Sequence, residues 1–222
     1  VIPIHAILLH DGKVLLYGTD NQGFQGAKLY YEVWDVESGQ HNLADNHNLL
    51  THSTNTNLFC SVASMDVMTG NVIIIGGDDD NNYGVPDVNL FDVERHEISQ
   101  MGGMHYSRWY ATSINLPNGD VFIVGGKNNE GGGSPVPEVW SPITKEFRAL
   151  PGAQVDAISE VSLDGDAWWY PHLYVNSSGD IIIIIGEGEG TAIYHVGLEA
   201  EDGTIKKLDK VKPFSSDHLG AS

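Results

Sequence analysis

The chain contains one cysteine, Cys60, within the segment NLFCSVASMD that covers residues 57–66. A single thiol cannot form an internal disulfide, and it can supply at most one soft ligand to a metal ion. The surrounding residues are typical of a β-strand, which would accept Ala or Val equally well at this position. Taken alone, this segment therefore favours a small buried core residue at Cys60.

Two other segments offer weaker candidates for chemistry. GGDDDNNYG at 76–84 places three aspartates together, but it lacks the spaced acidic pattern of a calcium loop, so a solvated turn is favoured. IIIGEGEGT at 183–191 has glycines without the dinucleotide-binding spacing, and its glutamates would repel phosphates. The ten histidines are scattered and show no zinc-type spacing.

Composition narrows the class of protein. The 222 residues include 30 acidic and 11 basic side chains, with a formal net charge of -19, which argues against nucleic acid or an anionic lipid surface as a partner. The 26 glycines and 9 prolines interrupt the chain too often for long helices, so an all-β fold is predicted. The longest apolar run, DIIIIIG at 180–186, is far shorter than the roughly 18 to 20 residues of a spanning helix, and no membrane insertion is expected.

An internal repeat organises the whole chain. A turn, an apolar strand and a terminal glycine recur four times, in DGKVLLYGTD, TGNVIIIGGD, NGDVFIVGGK and SGDIIIIIGEG. The turn glycines Gly12, Gly70, Gly119 and Gly179 are separated by 58, 49 and 60 residues, close to the roughly 50-residue kelch period. The repeat therefore predicts the blades of a β-propeller.

Between these inner strands lie segments of alternating polarity, which indicate outer, half-exposed strands. The sequence thus predicts four consecutive four-stranded blades. A complete four-bladed propeller is one alternative; the other is an open segment of a larger propeller, which leaves sheet faces and edges uncovered. We favour the second, with further sequence or a second chain completing the propeller. The expected blades cover residues 1–55, 56–103, 104–152 and 153–212, and 213–222 is the expected start of another.

Two short motifs occupy equivalent places in neighbouring blades. Phe59-Cys60 opens one blade strand, and Cys60 lies 16 residues before Gly76, the glycine that ends the following inner strand. Arg108-Trp109-Tyr110 opens the equivalent strand of the next blade, and Tyr110 lies 15 residues before Gly125. This arrangement resembles the radical-tyrosine blades of the glyoxal oxidase and galactose oxidase family, and WWYPHLYVNSSGDIIII in the fourth blade is similar to the Tyr-Pro segment of glyoxal oxidases. The resemblance covers essentially the whole chain, but only the amino-terminal part of such a catalytic propeller, which has seven blades.

The resemblance implies a copper radical oxidase. In that family the cysteine sulfur is bonded to the tyrosine ring, and the thioether makes the phenoxyl radical easier to form. Copper binds the same phenol oxygen, and dioxygen is reduced to hydrogen peroxide. Carried over to this sequence, Cys60 and Tyr110 form the thioether radical cofactor and act in catalysis, and Tyr110 is a copper ligand.

The remaining ligands implied by the resemblance, an axial tyrosine followed by a histidine and a second histidine, have no counterpart in this sequence. Tyr194-His195 is assigned to the surface of the fourth blade instead. No aromatic residue follows the third inner strand between Gly125 and Pro135, where galactose oxidase has its stacking tryptophan. The resemblance therefore implies small aldehydes or primary alcohols as substrates, and an extracellular location.

A hypothesis from another class stands beside the oxidase. A kelch-like propeller without catalysis could use its loops to bind a carbohydrate or a protein, with Cys60 merely buried. Such a propeller has no need of the Phe-Cys and Arg-Trp-Tyr motifs one blade apart, and this coincidence favours the oxidase.

Overall fold

The computed structural model describes residues 2–20, 22–25, 30–38, 47–159, 167–187 and 190–211. These residues form β-strands with a short 3-10 turn at Pro151–Ala153 and one short helix, α1, at Asp156–Ser159. The strands are β1 Pro3–Leu8, β2 Val14–Gly18, β3 Tyr30–Trp34, β4 His47–Thr51, β5 Val62–Met65, β6 Val72–Ile75, β7 Val85–Asp92, β8 Glu97–Asn115, β9 Val121–Lys127, β10 Glu138–Trp140, β11 Phe147–Ala149, β12 His172–Val175, β13 Ile181–Glu187, β14 Gly190–Gly197 and β15 Thr204–Val211.

The strands pair in chain order and antiparallel throughout. β1 to β4 form one four-stranded sheet, β12 to β15 form another, and β5 to β11 form a seven-stranded sheet between them. The 19-residue strand β8 joins two units in this middle sheet, because its first part pairs with β7 and its second part pairs with β9. Four-stranded units therefore follow one another along the chain, and the predicted all-β fold is confirmed.

The second strand of each unit carries the buried core. In β6, all four residues from Val72 to Ile75 are buried, and β9 is buried from Val121 to Gly126. Such β-branched and aromatic runs suit a strand that is covered on both faces. Side chains alternate between the faces, so Val72 and Ile74 contact one neighbouring unit while Ile73 and Ile75 contact the other.

Three core clusters fill the spaces between consecutive units. Leu15 and Tyr17 of the first unit pack with Ile74 of the second, and Ile73 packs with Ile123 of the third. Phe122 packs with residues of β13 and β14 in the fourth unit. Burial of each large apolar side chain contributes roughly 1.5 to 3 kcal/mol, so the units stabilise one another face to face as propeller blades do.

Strand β10 departs from the alternation of buried and exposed residues that was predicted for the outer strands. β3 has the expected alternating pattern of burial, but Glu138, Val139 and Trp140 of β10 are all buried. Glu138 can be buried because a buried arginine, described below, pairs with it. Among the described residues no helix is long and apolar enough to cross a membrane. The expected start of a further blade at 213–222 lies outside the described residues.

Candidate active site

Three residues at equivalent places in successive units are linked through their backbones. The amide of Tyr110 donates to the carbonyl oxygen of Cys60 across 3.0 Å, and the amide of Tyr170 donates to the carbonyl oxygen of Tyr110 across 3.0 Å. All three residues have left-handed backbone conformations, with φ of 53° for Cys60, 64° for Tyr110 and 43° for Tyr170. Residues without glycine's freedom adopt this conformation rarely, so the surrounding structure must hold it.

A second hydrogen bond ties the two sequence motifs together. The indole nitrogen of Trp109 donates to the carbonyl oxygen of Phe59 across 3.2 Å, one residue before the bond from Tyr110 to Cys60. β8 passes from the second unit to the third at this point, since Arg108 pairs with β7 and Trp109 pairs with β9. The Phe-Cys and Arg-Trp-Tyr motifs are therefore in direct contact.

The side chains of the two predicted cofactor residues also meet. Cys60 is 3% exposed, and its sulfur shares a hydrogen bond with the Tyr110 hydroxyl. Burial raises the pKa of the Cys60 thiol, and the hydrogen bond from Tyr110 opposes this rise. Burial also raises the pKa of Tyr110 well above its ordinary value, and its hydrogen bond to Cys60 adds to the rise. In this structure the pair is therefore a protonated phenol against a buried sulfur.

Aromatic rings enclose Tyr110. The Trp169 ring stacks on it with the ring centroids 5.1 Å apart and the planes 12° apart. Trp109 lies 4.2 Å from the Tyr110 centroid at a tilt of 52°, and Tyr170 meets it edge-on at 5.2 Å. No aromatic residue follows the third inner strand, as the sequence shows, but Trp169 of the next unit supplies a stacked ring. Because Trp169 stacks on Tyr110, the lack of an aromatic residue between Gly125 and Pro135 no longer favours small substrates.

Arg108 anchors the segment that carries Tyr110. Its guanidinium is fully buried and donates to the carbonyl oxygens of Gly125 at 2.8 Å and Ser134 at 3.2 Å, and also to that of Val136. It forms an ion pair with Glu138 at 3.0 Å. A planar guanidinium holds its five donors in a fixed fork, whereas the three donors of a lysine ammonium rotate about a flexible stem. Arg108 thus attaches β8 to the loop between β9 and β10.

Glu138 completes this buried network. Its other carboxylate oxygen accepts hydrogen bonds from the backbone nitrogen of His105 at 2.7 Å and from the His105 ring at 2.9 Å. Burial lowers the pKa of Arg108, and the charge of Glu138 opposes this effect. A buried guanidinium without such a partner would carry a large desolvation cost.

A cavity of about 300 Å³ lies beside the Cys60–Tyr110 pair. It is lined by residues of β1, β5 and β8 that include His5 and Thr112, by Ser61 next to Cys60, and by Tyr170. The ring of His5 stacks on Tyr17 at 4.6 Å, and burial lowers the pKa of His5 to about 4. The first strands of three consecutive units therefore border one open space next to the pair.

The other sequence candidates lie elsewhere or have other partners. Tyr194 points inward from β14 and is buried in the core at 8% exposure, so its assignment to the surface is wrong. The half-buried His195 pairs with Asp180 at 3.1 Å. In the acidic turn Asp79 and Asp80 are exposed as expected, but Asp78 is buried and accepts hydrogen bonds from Gln25 and Asn82. No group of three or more His, Cys, Asp or Glu side chains within the described ranges is placed to hold a metal ion.

Three contributors to the site were missed by sequence reasoning. Glu138, Trp169 and Tyr170 each contact Arg108 or Tyr110 in space. For Tyr170 a signal was present, since WWY at 168–170 follows RWY at 108–110 by one repeat. For Glu138, a charged residue at an inward position of an apolar strand was the available signal.

The fold defines the class of protein. A solved structure of a fungal alcohol oxidase of the AA5 family, in complex with copper, is similar to this chain with a TM-score of 0.67 and 19% sequence identity. The likeness covers 92% of this chain and 40% of that one. It shows that the chain has a kelch-like β-propeller fold.

Sequence comparison adds particular relatives. Two galactose oxidases from Gibberella zeae are each 26% identical to this chain over 159 residues, which make up 70% of this chain and 22% of the relative. The chain therefore spans less than a quarter of the length of these relatives. No protein-family model matches it. The predicted resemblance to the galactose oxidase and glyoxal oxidase family is confirmed.

Proposed function

We propose that the chain is part of a copper radical oxidase in which Cys60 and Tyr110 are joined as a thioether radical cofactor. The observation that carries this proposal is the hydrogen bond between the Cys60 sulfur and the Tyr110 hydroxyl, which brings the only thiol of the chain to the one tyrosine that the motifs single out. Similarity to galactose oxidases supports oxidase chemistry, and the shared fold with an alcohol oxidase solved in complex with copper supports copper as the metal.

The residues present fit part of such a site. The Tyr110 hydroxyl is the copper ligand of this chain, and the Cys60 sulfur would donate electron density to its ring. Bound copper would supply one-electron redox chemistry and allow dioxygen to be reduced to hydrogen peroxide. The remaining ligands, a second tyrosine and two histidines, would come from outside this chain.

Each residue around Tyr110 has a role in this proposal. The Tyr110 oxygen would be the group that accepts a hydrogen atom from the substrate carbon that bears the hydroxyl group. Trp169 covers the face of the Tyr110 ring and limits access of water to it. Arg108 holds the backbone before Tyr110 in place through carbonyl oxygens of the same unit.

The substrates we propose are small aldehydes in hydrated form or primary alcohols, and the location is extracellular, which suits an enzyme that produces peroxide. The resemblance to glyoxal oxidases supports the first class. A comparison of peroxide production from a small dialdehyde, an aliphatic primary alcohol and galactose tests the substrate class. Galactose as the best substrate by kcat/KM would reject it.

The decisive test is the mass of the protein at its full natural length after exposure to copper and air. The thioether predicts a loss of two hydrogens and a fusion of the Cys60 and Tyr110 peptides that reductants do not cleave. Cys60→Ser and Tyr110→Phe should each abolish the fusion. A freely alkylated Cys60 after copper loading would instead favour a propeller that binds a carbohydrate or protein.

A further inference from the structure

Tyr170 occupies the same place in the fourth unit that Tyr110 occupies in the third. Its amide donates to the Tyr110 carbonyl oxygen just as the Tyr110 amide donates to that of Cys60, and its backbone is left-handed as well. Its ring meets the Tyr110 ring edge-on, with the centroids 5.2 Å apart and the planes 86° apart. The repeat thus places two phenols, one from the third unit and one from the fourth, next to the thiol of the second unit.

Both phenols hydrogen-bond to the same sulfur. The hydroxyl of Tyr170 and the hydroxyl of Tyr110 each form a hydrogen bond with Cys60. The sulfur is thus a shared acceptor between two donors. Two directed contacts restrict where a small side chain can point far more than one does.

Tyr170 also borders open space. It lines the cavity of about 300 Å³ beside the pair, as does Ser61, whereas Cys60 itself is buried. The buried Tyr17 hydroxyl is close by, but its partner is the Ser61 hydroxyl, at 3.2 Å. Tyr170 therefore contacts the sulfur and also lines the cavity.

We propose that Tyr170 is a positioning residue of the cofactor, which holds the Cys60 sulfur against the Tyr110 ring for bond formation. This inference rests on the proposed function. Forming the thioether breaks the Cys60 S–H bond and one ring C–H bond of Tyr110, and it forms one S–C bond. The two electrons and two protons released pass to dioxygen, which becomes hydrogen peroxide.

The test uses Tyr170→Phe in the protein at its full natural length, because Phe keeps the ring against Tyr110 and removes only the hydroxyl. The matched control is Tyr17→Phe, which removes the neighbouring buried hydroxyl that bonds to Ser61. The first readout is the infrared S–H stretching band of Cys60 in copper-free protein, identified by its loss in Cys60→Ser. The second is the rate of thioether formation, followed by intact mass after copper and air are added.

Tyr170→Phe should displace the S–H band and slow thioether formation roughly fivefold, as the loss of one hydrogen bond of about 1 kcal/mol implies. Tyr17→Phe should leave both at the wild-type values. An unchanged band and rate in Tyr170→Phe, or equal changes in both variants, would overturn the proposal. If the wild-type protein forms no thioether, the proposed function fails, and the S–H band alone then decides whether Tyr170 holds the sulfur.

Discussion

The amide nitrogen of Tyr110 lies 3.0 Å from the carbonyl oxygen of Cys60, so the backbones of two successive propeller units are bonded at the residues whose side chains also meet. The repeat explains this relationship. Residues at equivalent places in neighbouring blades converge near the first strands, and a link between blades there needs no long loop. The site is thereby built into the packing of the units.

Gly76 should be far more sensitive to substitution than Gly12. Both have left-handed backbones, with φ of 71° and 85°, but a Cβ on Gly76 would lie 2.3 Å from the Arg108 carbonyl oxygen, whereas a Cβ on Gly12 would meet nothing within 4 Å. We expect Gly12→Ala to lower the free energy of unfolding by about 1 kcal/mol through backbone strain alone. Gly76→Ala should lower it by more than about 3 kcal/mol, because backbone must also move.

Denaturant unfolding of the two variants measures this difference. Because the displaced carbonyl belongs to the residue two before Tyr110, Gly76→Ala should also reduce thioether formation, while Gly12→Ala should not. Equal losses of stability would show that the close approach at Gly76 carries no cost of its own.

The buried ion pair predicts a second large effect. Glu138→Gln leaves the fully buried guanidinium of Arg108 without a counter-charge, and breaking a buried pair in this way costs about 3 to 5 kcal/mol. The matched control is Glu146→Gln, an exposed position nearby, which should change stability by less than about 0.5 kcal/mol. Urea midpoints of the two variants check the prediction, and a loss below about 1 kcal/mol in Glu138→Gln would show that water relieves the buried charge.

His5 predicts a dependence of stability on pH. Burial lowers its folded-state pKa from 6.5 to about 4, so the folded protein holds the ring neutral while the unfolded chain protonates it at higher pH. The stability is fully present above pH 6.5 and is lost as the pH falls toward 4, since the unfolded state binds more protons in that window. The shift corresponds to about 3 kcal/mol.

His5→Gln isolates this contribution, because glutamine does not titrate. Unfolding free energies of the wild type and the variant are compared at pH 7, 5.5 and 4.5. As the pH falls from 7 to 4.5, the unfolding free energy of the wild type should decrease relative to that of His5→Gln. Parallel curves would mean that the His5 ring accepts a proton in the folded protein as readily as in the unfolded chain.

The sequence predicted the repeat, the buried inner strands and the equivalent places of Cys60 and Tyr110, because each of these depends on local pattern and fixed spacing, whereas the pairing of the two side chains was implied by the family resemblance. The turn glycines marked the units, and runs such as VIII at 72–75 marked strands covered on both faces. Placing two motifs at the same point of two repeats is enough to bring them together when consecutive units pack face to face.

The rest depends on contacts that local pattern does not encode. Arg108 and Glu138 are 30 residues apart, and although Glu138 stands at an inward position of an apolar strand, the local sequence does not identify Arg108 as its partner. The repeat of WWY after RWY marks the place of Tyr170, but the contacts of Trp169 and Tyr170 with the Tyr110 ring depend on how the third and fourth units pack together. The continuity of β8 through two units was also hidden, since a boundary between blades was expected between residues 103 and 104, where the strand continues.

Trp169 provides the last prediction, which concerns the lifetime of the proposed Cys60–Tyr110 cofactor in its oxidised form. Its ring is 44% exposed and lies parallel to Tyr110, so it stands between the phenol ring and solvent. An aromatic pair of this kind contributes about 0.5 to 1.5 kcal/mol beyond its buried area, which corresponds to a change in rate of up to roughly tenfold. Trp169→Leu should therefore shorten the lifetime of the radical signal in electron paramagnetic resonance by about this factor.

Trp169→Phe distinguishes a stacked ring from mere bulk at this position. Phenylalanine can keep a parallel ring over Tyr110, so its radical should decay at a rate between those of the wild type and the leucine variant. Equal decay in the two variants would mean that ring stacking is not what protects Tyr110. Because Trp169 contacts Tyr110 from the neighbouring unit, an intermediate rate for phenylalanine would also show that packing between units controls the chemistry of the cofactor.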